Sequence, residues 1–467
     1  MDLRLTRSTR RGYERGRRGA FRSPPAATEG SPVPRILALD TYDVRFPTSR
    51  TLAGSDAMNP APDYAAAYAV LRTDGRDELA GHGFTFTIGR YNDVQVAAIA
   101  ALAPAVIAAD VDELVADLGG FSRRLVRDSQ LRWLGPETGI AHMAVGAIVN
   151  ACWDLKAKRA GLPLWRLLCE LTPAELVALV DFRYLADAIN PADALDLLER
   201  GADGKAERIR ELEAGGYPAY STAPGWLGYT DDQLAGLLRQ AMDEGFGQVK
   251  LKVGGSLEDD VRRLTLAREI CGPDYRIAID ANQVWGTAEA ISWIRQLSRF
   301  NLAWMEEPTF PDDVLAMAQI RRAVSPVPIA AGEHVANRVA YKQLLQAGAL
   351  DIMQIDATRV AGVSENVANL LLAAKAGIRV CPHAGGVGLC EAVQHLSFFD
   401  YACVSGTMDD RVIEWIDHLH EHFVSPAVVR NGRYVAPVEA GNSMEMRADS
   451  IREYSYPDGP AWTALRS

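Results

Sequence analysis

In the second half of the chain, short apolar runs alternate with longer stretches whose apolar residues fall three to four apart. The runs cover residues 217–223, 248–253, 276–280, 302–306, 328–333, 351–356 and 379–383, with an eighth near 412–416. Between them, 257–270, 288–297, 312–323, 338–347 and 364–376 read as helices. Gly272, Gly348 and Gly377 stand just past three of these, where a left-handed C-cap is wanted. Six of the runs end on or beside Lys252, Asp280, Glu306, Glu333, Asp356 and His383, at steps of 28, 26, 27, 23 and 27 residues. A strand, a helix and two loops use up about that many residues, so the pattern predicts consecutive βα units of a parallel barrel. Such a barrel brings the carboxyl ends of its strands to one mouth, and the six side chains with them.

The first third reads differently. Residues 36–46, 64–71 and 82–88 predict strands, and 93–109, 111–127 and 141–160 helices, the last ending at Gly161 before Pro163. This makes a small α+β domain ahead of the barrel. Residues 170–215 look helical and inserted, punctuated by Pro173, Pro191 and Gly215, with no evident chemistry. Residues 1–34 are crowded with arginine from Arg4 to Arg22 and end in Pro24, Pro25, Pro32 and Pro34, which predicts a disordered tail. A targeting segment is the alternative, weakened by Asp2, Glu14 and Glu29.

Composition narrows the function classes. The 467 residues are 48% hydrophobic, enough for a large core in two domains, and the net charge of −11 argues against general nucleic-acid or anionic-membrane binding. Six cysteines without CxxC spacing suit a reducing, cytoplasmic compartment, and no apolar run reaches membrane-spanning length.

Taken singly, the strand-end residues say little: Lys250 and Lys252 could be a solvated edge, Asp280 an N-cap, Glu306 a loop marker. Three acids on three successive strands, with two lysines one strand earlier and a histidine two strands later, are another matter. Converging carboxylates offer hard oxygen ligands to Mg²⁺, or Mn²⁺ as a substitute. Lys252 can act as a base only when neutral, and the ammonium of Lys250 pushes it that way. His383 can hydrogen-bond Asp356 one strand earlier, which fixes its tautomer.

The motifs Lys250-Leu-Lys252, Asp280-Ala-Asn282, Glu306-Glu-Pro308, Gly332-Glu333, Gln354-Ile-Asp356 and His383-Ala-Gly-Gly resemble the enolase superfamily, in its mandelate-racemase subgroup. Within it they are similar to the L-fuconate dehydratases, over about residues 36–456, including Ser55-Asp-Ala-Met-Asn-Pro60. The resemblance implies an α/β fold: a TIM-type modified (β/α)7β barrel with an N-terminal α+β capping domain completed by the C-terminal segment. The expected organisation is a tail at 1–34, the capping domain at 35–165, the barrel at 166–420 and a returning segment at 421–467.

It also implies Asp280, Glu306 and Glu333 as Mg²⁺ ligands, with Lys252 and Asp356-oriented His383 as the acid/base pair and Lys250 beside them. Asn282, Glu414, Ser55, Asp56, Ala57 and Tyr64 become expected substrate contacts. Ala330, Ala331, Thr358 and Arg359 flank the motifs with no expected role. The implied activity is dehydration of a six-carbon aldonic acid, L-fuconate first, through C2 proton abstraction, enediolate stabilisation and loss of the 3-hydroxyl. Either Lys252 or His383 can be the base. A racemase or epimerase of a 2-hydroxy acid would use the same pair, and a noncatalytic binding platform is the reading from another class. The expected partners are a small-molecule acid sugar and further copies of the chain as a homo-oligomer.

Three further motifs are discounted. His418, His420 and His422 read as a solvated helix face. Gly385, Gly386 and Gly388 read as a loop beside His383, and Trp226 as a packed anchor beside the pocket.

Overall fold

A computed structural model describes residues 34–74 and 79–466. The expected tail falls outside the described residues except for Pro34. Three antiparallel strands open the fold, β1 (Ile36–Arg45), β2 (Ala65–Thr73) and β3 (Ala80–Thr87), in the order β1-β2-β3. The helix Gly139–Ala160 lies across β3 so closely that a side chain on Gly81 or Gly83 would start 2.2 Å from the carbonyl oxygens of Ala151 and Ala147. Glycine at both positions lets helix and sheet backbones touch. The predicted helix at 111–127 is two, Val111–Ala116 and Leu118–Val126, because the Asp117 side chain caps the second by accepting Gly120 N–H.

The barrel follows as β4 (Tyr217–Gly225), β5 (Gln248–Lys252), β6 (Arg276–Asp280), β7 (Leu302–Glu306), β8 (Ile329–Ala331), β9 (Ile352–Met353), β10 (Arg379–Val380) and β11 (Ile413–Trp415). β4 to β10 pair successively in parallel, β11 pairs β4, and Glu414 N–H reaches Pro382 C=O at 3.4 Å to close the ring. Among the described residues seven α-helices separate the eight strands, and only a 3-10 turn, His420–His422, stands between β11 and the short hairpin β12 (Val429–Arg430) and β13 (Arg433–Tyr434). This is the (β/α)7β arrangement. Helices Pro173–Leu179, Pro191–Ala202 and Lys205–Gly215 precede β4.

The chain then returns to the first sheet. Val44 bridges Ser455, Tyr456 N–H donates to Asp43 C=O at 2.8 Å, and Trp462 Nε1 donates to Arg45 C=O at 2.9 Å. No helix among the described residues is long and apolar enough to cross a membrane.

A buried ion cluster fastens helix Gly139–Ala160 to the barrel. Glu365 lies 2.6 Å from His142 Nε2 and accepts the backbone N–H groups of Arg338 (2.9 Å) and Ala361 (2.7 Å). Arg338 also pairs with Glu137 and, at 3.3 Å, with Asp181. Burial alone would raise the Glu365 pKa, but His142 and Arg338 hold it down to about 2 from 4.5. Removing one partner leaves buried charge uncompensated, so Arg338→Ala should cost ~3–5 kcal/mol in urea denaturation. A depressed carboxylate stabilises above its unfolded pKa and ceases to do so as pH falls through its folded one. The stability gap between wild type and Glu365→Gln should therefore hold steady above about pH 5 and narrow as pH falls toward about 2.

Candidate functional site

The ladder register sets the first half of the site. Lys252 is paired with Asp280, and Asp280 with Glu306, so three strands present their last side chains in one row. Glu333, Asp356 and His383 differ from the expected strand ends: they lie two to three residues beyond β8, β9 and β10. Gly332 turns the chain out at φ +155, where a Cβ would meet Gln354 C=O at 1.8 Å, and Asn366 Nδ2 takes the Asp356 carbonyl at 2.9 Å. The ladder stops and the mouth widens.

One oxygen each from Asp280, Glu306 and Glu333 lies within 4.8 Å of the others. Lys252 Nζ donates to Asp280 at 2.5 Å, and Lys250 Nζ lies 2.5 Å from Glu306, 2.9 Å from Glu414 and 3.5 Å from Asp280. His383 Nδ1 pairs with Asp356 Oδ2 at 2.8 Å, and its Nε2 lies 3.5 Å from Glu333 and 3.9 Å from Glu414. Lys252 and His383 line one cavity of about 360 Å³ with Asp56, Tyr64, Trp226, Asn282, Glu333 and Asp356.

Electrostatics follow from burying these groups together. Burial raises the Glu306 pKa to about 8 against the pull of Lys250, helped by Asp280, Glu414 and Glu333. Burial works against charge on His383, yet Glu333, Asp356 and Glu414 lift it to about 10. The expected depression of Lys252 is reversed: burial and Lys250 press it down, but Asp280, Glu333 and Asp56 outweigh them and hold it above the ordinary lysine value. Five carboxylates (Asp280, Glu306, Glu333, Asp356, Glu414) face three cationic groups (Lys250, Lys252, His383), so acids outnumber bases and burial keeps Glu306 largely protonated near neutral pH. Glu333 Oε2 and Asn282 Oδ1 are buried without a hydrogen-bond partner. A hard oxygen set, an excess of acids over bases and orphaned oxygens fit a divalent cation of the Mg²⁺ type.

Other expected contacts are placed differently. Ser55 and Ala57 do not line the cavity: Ser55 accepts Leu227 N–H (3.0 Å) and Gly228 N–H (2.9 Å), and Ala57 Cβ packs 3.3 Å from where a Gly254 side chain would start. Glu414 and Lys250 stand behind the lining, because Glu414 is spent on Lys250 and on Ala384 N–H at 2.8 Å.

Thr358 and Arg359, expected to have no role, line the cavity, and both backbone N–H groups donate to Asp356 Oδ1, at 2.6 and 2.9 Å. The histidine triplet is not a solvated helix face. His418 stacks on Tyr64, His420 sits 2.6 Å from Glu391, and His422 packs on Phe46.

Sequence reasoning missed Glu307 and His334, whose side chains meet at 3.0 Å with Glu333 3.4 Å from the same imidazole nitrogen. They are 27 apart, the interval of the main series, which was the available signal. It also missed Phe86, Ile88 and Met143, brought to the cavity by the capping sheet, the residue after it, and the long helix.

Residues 58–169 match the mandelate racemase / muconate lactonizing enzyme N-terminal domain, and residues 233–450 the enolase C-terminal domain-like family. The chain belongs to the enolase superfamily. It is 50% identical over 434 residues to L-galactonate dehydratase of Hypocrea jecorina, covering 91% of this chain and 96% of that one. The crystal structure of human mitochondrial enolase superfamily member 1 is similar at TM-score 0.91 and 48% identity, over 92% of this chain and 98% of that one. L-talarate/galactarate dehydratase from Salmonella typhimurium LT2, solved with Mg and L-lyxarohydroxamate, is similar at TM-score 0.70 and 26% identity, over 93% and 96%. None of these three bears the name L-fuconate dehydratase.

Gly54 sits at φ +88, and a Cβ there would lie 2.5 Å from the Tyr64 ring. Gly54→Ala should cost ~1–2 kcal/mol from backbone strain alone. A crystal structure of the variant should show the Tyr64 ring displaced from the cavity wall.

Proposed function

We propose that the chain is a Mg²⁺-dependent dehydratase of six-carbon aldonic acids, with L-fuconate as its preferred substrate, yielding the 2-keto-3-deoxy acid and water. One observation carries this reading: Asp280, Glu306 and Glu333 converge within 4.8 Å while Lys252 and His383 line the same cavity. Asp280, Glu306 and Glu333 hold the metal. When bound, Mg²⁺ supplies the positive charge that grips a substrate carboxylate and favours loss of the neighbouring proton.

Lys252 takes the proton from C2 as the neutral amine: Lys250, buried alongside, presses it that way, and the charge of Asp280 and Glu333, which otherwise holds its proton, would be taken up by the metal they hold. The electron pair left on C2 forms the C2=C3 double bond as the C3–O bond breaks. His383, held as imidazolium by Asp356 and Glu333, gives its proton to the departing hydroxyl, which leaves as water. The enol then tautomerises to the ketone. Asp56, Asn282 and Tyr64 line the cavity, which supports them as contacts to the sugar hydroxyls.

L-Fuconate is L-galactonate without the hydroxyl on C6, so the two acids differ at one end only. Met58, Phe86, Ile88 and Met143 give the cavity an apolar wall, which supports the methyl-ended acid. An apolar pocket discriminates against an added hydroxyl by at most about 10²-fold, so L-galactonate should also be turned over, at lower kcat/KM. The six cysteines are free, which supports a reducing compartment such as the cytoplasm.

Purified protein with Mg²⁺ should convert L-fuconate to a 2-keto acid in a panel of acid sugars, and chelation should abolish turnover. Lys252→Ala should lose both C2 deuterium exchange and dehydration, with kcat down by about 10³-fold or more. His383→Asn should keep C2 exchange while losing water elimination. Full turnover in both variants rejects the assignment, and C2 exchange in the wild type without loss of water makes the enzyme an epimerase.

A further inference from the structure

Arg263 lies eleven residues beyond Lys252 on the helix Leu257–Cys271 and is 3% exposed. Its guanidinium reaches back to three backbone carbonyls. Nη1 donates to Lys252 C=O, and Nη2 to Gly225 C=O at 2.9 Å and Trp226 C=O at 3.0 Å. Burial holds its pKa below the ordinary arginine value. The guanidinium hydrogen bonds go to carbonyls alone, with Asp260, Asp231 and Asp259 acting on the charge only through space, and the rigid fork fixes those three oxygens relative to one another.

The three carbonyls belong to the ends of neighbouring strands. Gly225 of β4 is paired with Leu251 of β5, and a Cβ on Gly225 would lie 2.0 Å from Lys250 C=O, so the two backbones touch where Arg263 bridges them. Asp260, on the same helix, accepts Gly254 N–H at 2.9 Å. The segment leaving Lys252 is thus gripped at its own carbonyl and at the amide two residues on. Above it, Lys252 Nζ stands 5.8 Å from the Trp226 ring centroid, and both side chains face the cavity. Arg263 itself does not line the cavity.

We propose that Arg263 is a positioning residue for proton transfer: it locks Lys252 and Trp226 into one unit, so that the Lys252 nitrogen meets C2 of the substrate at a fixed distance. This rests on the reading that Lys252 moves the C2 proton. An arginine that served stability alone would change the amount of folded enzyme and leave the kinetics of each folded molecule untouched.

The test uses full-length wild type, Arg263→Met and Arg263→Lys with Mg²⁺, assayed on C2-protio and C2-deuterio substrate, with folding checked by circular dichroism and thermal melting. In folded Arg263→Met, kcat should fall about 10²-fold, the loss typical of a displacement near 1 Å, while KM changes little. The deuterium isotope effect on kcat should rise, because proton removal becomes the slow step. Arg263→Lys should recover part of kcat, since an ammonium can hold some of the carbonyls without the fork.

Should Arg263→Met not fold, Arg263→Lys and Asp260→Ala carry the same measurement. Wild-type kcat and isotope effect in a folded variant overturn the positioning role and leave the proposed function standing. A wild type that turns over no acid sugar overturns both.

Discussion

Crowded negative charge at the barrel mouth is the constraint on which the rest of the site depends. Asp280, Glu306 and Glu414 are essentially fully buried around the single ammonium of Lys250, a density of charge that a protein interior tolerates only with compensation. Burial and this crowding act together on its neighbours. Glu306 is driven up to about 8, His383 to about 10, and Lys252 is held as a cation it would not keep if burial alone decided. The acids outnumber the bases, and donor atoms left over at Glu333 and Asn282 are oxygens. The backbone nearby is unusual as well: Asn282, Gln283 and Glu307, none of them glycine, all have positive φ beside the carboxylates.

The barrel was legible because parallel strands repeat at the interval of their helices, and the acids mark that interval. Lys252, Asp280 and Glu306 were placed correctly because they end true ladders, where register follows from sequence. Glu333, Asp356 and His383 were placed on strands that stop short of them, since the turn at Gly332 and the capture of the Asp356 carbonyl by Asn366 depend on contacts from other elements. Ser55, Ala57 and Glu414 show the limit from the other side: a motif marks a residue as near the site without saying whether it faces the cavity or braces what does. Thr358 and Arg359 were overlooked for the converse reason, because both hold Asp356 through backbone amides, joined by the Thr358 hydroxyl at 3.1 Å, and backbone amides leave no trace in a side-chain pattern.

The capping domain is held to the barrel at the loop that orients the histidine. Asn150 of the long helix donates to Ala357 C=O at 2.9 Å and accepts Val363 N–H at 3.1 Å, and Trp153 donates to Ser364 at 3.2 Å. These bonds bracket the segment that begins at Asp356, so the same helix that carries the first sheet also fixes the partner of His383. The Glu365 cluster lies at the end of that segment. Cap and barrel therefore form one mechanical unit around the cavity.

Within that unit the two domains divide the work. The barrel strands and their loops supply every ionised group of the carboxylate cluster, and these constrain one another too tightly for any to change alone. The cap supplies Met58, Tyr64, Phe86, Ile88 and Met143, side chains that bound the cavity, and one charge, Asp56, that helps hold Lys252 as a cation. A change among the first five alters the shape offered to the far end of a ligand and leaves the balance among Lys252, Asp280 and His383 untouched. The apolar surface of the cavity thus comes from residues that no periodic pattern distinguishes, while the barrel's ionised groups are the ones the sequence announces at regular intervals.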